Sequence, residues 1–221
     1  MSVLVVALTA LVAALWPAPA GEGRGAASAG AEAATVPQPA PQPNVASRGN
    51  GRLRVVPGSS TRSGPGPVRR YAVEVEGGIE IGRRVFANRV HDILRHHRSW
   101  GGTDRVSFWR VSRGRIDFRV TLATPATTDR LCAPYITGGI YSCANDGRAV
   151  LNLMRWRTGA AAYRHVRRYR IYLVNHEVGH LLGHGHRYCP AARAPAPVMM
   201  QQTKGVGSCR PNPWPLRYER G

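Results

Sequence analysis

The chain has 221 residues, 43% of them hydrophobic, which suits one domain with a buried core plus tails. It carries 31 basic against 12 acidic residues, for a formal charge of +19, and every basic residue except Lys204 is an arginine. The arginines are scattered rather than interleaved with stacking aromatics, which with abundant Ala, Gly and Pro reads first as compositional bias; loose association with anionic cell-envelope polymers is the functional alternative, and a nucleic-acid binder is disfavoured.

Val3 to Trp16 is an apolar run of signal-peptide length, too short to span a bilayer, and Ala18-Pro19-Ala20 supplies small residues for cleavage. Residues 1–20 therefore read as a signal peptide, although no Lys or Arg precedes the run. No stable membrane span is expected after processing, and the location expected is secreted or envelope-associated. Residues 21–50, rich in Ala, Pro, Gly and Gln, have almost nothing bulky to bury and read as a disordered linker. The folded domain is assigned to residues 51–221.

Within it, Tyr71, Val73 and Val75 alternate with polar residues and predict a strand over 70–76. Val85, Val90, Ile93 and Leu94 recur near helical spacing and predict a helix over 82–97. Residues 106–111 and 116–122 read as two strands joined by the turn residues Ser112 to Gly114, and residues 149–154 as a further strand. A helix over 168–183 follows, and residues 187–221 are mostly irregular. The order β-α-β-β-β-α makes an α+β fold: a twisted mixed sheet with an outer helix and an active-site helix, followed by an irregular C-terminal subdomain.

The four cysteines, Cys132, Cys143, Cys189 and Cys209, all lie in this domain, and an exported chain favours disulfides. Three connectivities are possible. Nearest neighbours are the most economical, with Cys189 to Cys209 closing a loop worth on the order of 3 kcal/mol in the loop-entropy model.

The chemistry concentrates in the run Asn175-His176-Glu177-Val178-Gly179-His180-Leu181-Leu182-Gly183-His184-Gly185-His186. Two histidines four apart on a helix sit about 40° apart around its axis and one turn along it, so both imidazoles reach one metal ion. Gly183 lets the chain leave the helix with φ > 0 and bring His186 back as a third ligand. His184 is the competitor, but eight residues of continuous helix would carry it roughly 12 Å past His176, too far for bonds of about 2 Å. A carboxylate third ligand is nearly excluded, because the only acidic residue after Glu177 is Glu219.

The pattern H-E-x-x-H-x-x-G-x-x-H followed by a methionine, in Pro197-Val198-Met199-Met200, resembles the metzincin clan of zinc metallopeptidases. Together with Cys209-Arg210-Pro211-Asn212-Pro213-Trp214-Pro215, it also resembles an exported metzincin-like domain family of actinobacteria whose members are read as zinc peptidases without a settled substrate. The resemblance implies a metzincin-like zincin holding Zn2+ on His176, His180 and His186. It implies Glu177 as the base and then the acid in peptide-bond hydrolysis, acting on a metal-activated water. It implies an apolar floor under the ligands from Met199 or Met200, Met199 being favoured. It also implies a peptide or protein substrate laid along an antiparallel edge strand drawn from residues 138–153.

Several further roles follow from position. Tyr188 and Tyr218 are candidates to support a tetrahedral intermediate, Asn175 stays outside the catalytic set, and Trp156 and Trp214 are candidates to line the groove or to pack. The alternatives are a zinc-bound but non-catalytic peptide or cell-wall binding module, and a zinc amidase acting on peptidoglycan peptides.

Overall fold

The structure, a computed structural model, describes residues 45–103 and 105–221. The expected signal peptide and most of the expected linker lie outside the described residues.

A mixed, open, six-stranded sheet organises the domain. Its strands are β1 (Leu53–Val55), β2 (Val68–Glu76), β3 (Ser107–Arg110), β4 (Phe118–Ala123), β5 (Cys143–Asn145) and β6 (Arg148–Asn152). They run in the order β1-β2-β4-β6-β5, with β3 sharing the β1 side of β2. The four pairings of β2 with β3, β2 with β4 and β4 with β6 on one hand, and β5 with β6 on the other, differ in sense: the first three are parallel and the last, like β1 with β2, is antiparallel. Among the described residues four α-helices accompany the sheet: α1 (Arg83–Leu94), α2 (Pro125–Cys132), α3 (Leu153–Thr158) and α4 (Val166–Leu181).

Period-two alternation sends Tyr71, Val73, Val75, Val120, Leu122, Ala149 and Leu151 into one cluster with Phe86, Val90 and Leu94 of α1 and Tyr169, Tyr172 and Leu173 of α4. Val150, pointing the other way, packs with Ala123 and with Cys132 of α2. The sheet is thus covered on both faces. That explains why the polar residues of β2 are buried rather than solvated: Glu74 pairs with Arg119 at 2.8 Å. Glu76 accepts hydrogen bonds from Gly51 N, Thr124 N, Thr124 Oγ1 and Thr127 Oγ1. Burial alone would raise the Glu76 pKa, yet these donors hold it below the usual carboxylate value.

The expected elements are present with shifted bounds, and three expectations need correction. The strands expected at 106–111 and 116–122, joined through the turn expected at 112–114, flank β2 and do not pair with each other. The chain crosses β2 between them, so that Tyr71 pairs with Arg110 on one side and with Phe118 on the other. The strand expected through residue 154 stops at Asn152, whose side chain accepts from Met154 N and caps α3. Only β5 of the expected 138–153 edge lies at the sheet's border, β6 being enclosed between β4 and β5. The helices α2 and α3 and the strands β1 and β5 were not expected.

Both disulfides join nearest neighbours, Cys132 to Cys143 and Cys189 to Cys209. The first ties the end of α2 to β5; the second closes the segment that contains Met199. Two disulfides accord with an exported chain. Among the described residues no helix is long and apolar enough to cross a membrane.

Candidate metal centre

Helix α4 ends as its sequence requires. Gly183 takes φ +92°, its N–H donates to His180 O at 3.0 Å, and His184 N donates to Gly179 O at 3.0 Å. These two bonds form a Schellman cap, which satisfies the last carbonyls of the helix and reverses the chain. A side chain at position 183 would meet no neighbour, so the requirement for glycine lies in the backbone angle alone.

The reversal brings His186 back to the helix. Ligand atoms of His176, His180 and His186 lie within 4.8 Å of one another. The ring centroids are 4.8 Å apart for His176 and His180, 4.7 Å for His180 and His186, and 5.4 Å for His176 and His186. His184 turns away and stacks on Trp100 at 4.4 Å, on the opposite side of the chain reversal.

Tautomer and protonation are set by the surroundings. His176 Nδ1 lies 2.8 Å from Val198 O, and His180 Nδ1 lies 2.9 Å from His184 O. A carbonyl only accepts, so each Nδ1 carries the proton and each Nε2 keeps a free lone pair. Burial, with the neighbouring His180 adding to it, drives the His176 pKa down to about 3. Burial likewise lowers those of His180 and His186, the latter with help from the Lys204 ammonium. Three neutral imidazoles on one point form a donor set that fits zinc, leaving a fourth position open.

Glu177 is buried beside the cluster, and burial pushes its carboxyl up to about 8. Its neighbours on α4 are locked from below. Asn175, buried, accepts from Ser99 Oγ at 2.6 Å through its side chain and from Trp100 Nε1 at 2.8 Å through its backbone, and it donates to Pro213 O. Asn175 is thus an anchor of the helix and not a group of the cleft.

Met199 is fully buried, and it approaches α4 where Gly179 has no side chain. A Cβ at 179 would collide with Met199 Sδ and stand 2.9 Å from Trp100 Cζ2. Met200 is only half-buried, and its carbonyl accepts from Tyr172 Oη. Of the two candidates, Met199 is the one packed against α4.

The turn holding Met199 is pinned by a residue that sequence reading considered only as a metal ligand. The Glu219 carboxylate accepts from Val198 N at 2.9 Å, Met199 N at 3.0 Å and Leu216 N at 2.8 Å. Gln202, also buried, bonds Pro197 O, Asn212 O, Asn212 N and the Tyr163 hydroxyl. Glu219 also serves locally, as the capping-box acid of the short 3-10 turn at Arg217–Glu219, but its hold on Val198 and Met199, like the bonds of Gln202 to Tyr163 and Asn212, spans residues distant in the chain.

The histidines open on a cleft of about 440 Å³. Its lining includes Ser142, Cys143 and Ala144 at the β5 border, Tyr135 and Tyr141, and Gln201 and Lys204, with the Lys204 ammonium 5.3 Å over the Tyr141 ring. Tyr188 is 87% exposed and Tyr218 borders a different cavity, so neither candidate tyrosine lines this cleft. Trp156 packs against Phe86, and Trp214 stacks on His96; both serve packing.

Residues 39–210 match the family model described as Protein of unknown function (DUF3152), and the chain belongs to that family. No curated protein and no solved structure matches the chain.

Proposed function

We propose that this DUF3152 member is an exported, zinc-dependent metalloendopeptidase of metzincin type. The observation that carries the reading is the convergence of His176, His180 and His186 within 4.8 Å, with Glu177 beside them, in a cleft bordered by an edge strand. Three neutral imidazoles in that arrangement suit Zn2+, and the Met199 turn under α4 supports the clan assignment. A zinc ion there would supply the Lewis acid that polarises a carbonyl and makes water acidic near neutrality.

The chain's own residues do the rest. Glu177, next in sequence to one ligand and turned to the same cleft, takes the proton of the attacking water and then delivers it to the leaving amine. Burial raises this carboxyl in the metal-free protein, and the charge of a zinc ion beside it would favour the ionised form that takes the water's proton. Strand β5 pairs only with β6, and its outer border faces the cleft, so an extended peptide can add there as a further strand. Backbone bonding of that kind favours internal peptide segments, hence an endopeptidase.

The test is a diverse peptide library incubated with the zinc-loaded chain, with and without chelator. Cleavage that chelator abolishes and zinc restores is the expected result. Stoichiometric zinc without cleavage would overturn the peptidase reading in favour of a binding module, and cleavage confined to isolated cell walls would point to an amidase.

A further inference from the structure

A second cavity, also of about 440 Å³, shares no lining residue with the histidine cleft. Four arginines, Arg69, Arg105, Arg187 and Arg220, border it, together with the ring of His184. Among the described residues of its wall the one acidic side chain is Glu219, which is already committed to three backbone amides, and Gly221 stands against the Arg105 guanidinium. The Nε atoms of Arg69 and Arg220 are buried without a hydrogen-bond partner. A buried donor left unpaired costs free energy, and four guanidinium groups around one hollow repel one another. An oxyanion entering the cavity would relieve the repulsion, because guanidinium forks match tetrahedral oxygens.

We propose that this cavity is a binding site for a phosphoryl group. Arg105 and Arg187 stand exposed in its wall and are placed to capture the anion, while Arg69 and Arg220 are half-buried, Arg220 also donating through Nη1 to His97 O at 3.0 Å. Phosphoryl groups reach an exported protein either as soluble phosphate esters or as the phosphodiesters of an envelope polymer. A guanidinium pair recognises both.

Calorimetric titration of the full chain with inorganic phosphate, at constant ionic strength and with chelator present so that no metal takes the anion, tests the site. Saturable binding is expected. The double variant Arg105→Gln/Arg187→Gln, altered only at exposed side chains, should weaken it by about tenfold or more, one charge-assisted bond being worth about that factor. Arg113→Gln removes a charge from an exposed turn away from the cavity and should change affinity less than about twofold. Titration with glycerol phosphate and with poly(glycerol phosphate) identifies the source: tighter binding of the polymer points to the envelope, equal affinity per phosphate to a free ester. Absence of saturation, or equal weakening by Arg113→Gln and the double variant, overturns the site. None of these outcomes depends on peptidase activity.

Discussion

Glu219 Oε1 accepts the amide of Met199 at 3.0 Å, and its other oxygen accepts the amide of Val198 at 2.9 Å. One buried carboxylate near the end of the chain thereby fixes the turn whose Val198 carbonyl orients His176. Replacing Glu219 by Ala strands buried donors and should cost about 3 kcal/mol of stability, read from urea unfolding. Disturbing a partner that orients a ligand should also weaken zinc binding by about tenfold or more. Glu219→Gln, which keeps one acceptor oxygen, should recover part of both losses. Wild-type zinc affinity in the Ala variant would show that the turn does not set the ligand geometry.

The third ligand separates cleanly from its competitor. His186→Ala should lose zinc at concentrations that saturate the parent chain, because two imidazoles and solvent bind the ion far less tightly than three. His184→Ala should keep full zinc stoichiometry and lose only its stacking on Trp100, about 1 kcal/mol. Metal content after gel filtration decides between them, and the reverse pattern would move the ligand to His184.

The histidine cluster was legible in the sequence because every step that builds it is local: helical spacing from His176 to His180, a glycine at 183, and a short return to His186. The disulfides were legible for a similar reason, each closing a short loop. Glu219 was not, since its carboxylate acts on amides 20 and 21 residues away through a fold that no periodicity announces. Helix α2 escaped notice because Thr127 and Thr128 are buried polar residues where a helix of that length usually shows apolar ones. The two strands after α1 were found but their pairing was not. Turn residues mark where the chain reverses but not what each strand pairs with; β4 lies parallel to β2, and Asp117 just before it accepts Arg70 N at 2.7 Å.

Glu76 predicts how the fold responds to acid. Its folded pKa lies below the ordinary value, so the stability it contributes is complete above the unfolded pKa, about 4.3, and disappears as pH falls through the folded value. Glu76→Gln should therefore be less stable than the parent near neutrality, by about 2 kcal/mol, having exchanged an acceptor oxygen for a donor against Thr and backbone N–H groups. That gap should narrow steadily below about pH 4. Urea midpoints at pH 7 and pH 3 measure it, and a gap independent of pH would show that the carboxylate's charge plays no part.

Glu177 carries the opposite sign, and the two halves of its role are testable in one variant. In the zinc-loaded protein Glu177→Gln should retain the metal and lose turnover by about 10²–10⁴-fold, the range for removing a positioned acid–base group. In the metal-free protein the same carboxyl, raised to about 8 by burial, binds its proton more tightly folded than unfolded. Stability is then highest below the unfolded pKa and falls as pH rises towards 8, because the unfolded chain ionises first. Gln, which never ionises, should escape that loss, so the chelated variant should melt higher than the chelated parent at pH 8 and match it at pH 4. Parallel melting curves across that range would deny the burial cost, while undiminished peptide cleavage by the zinc-loaded variant would remove Glu177 from the chemistry.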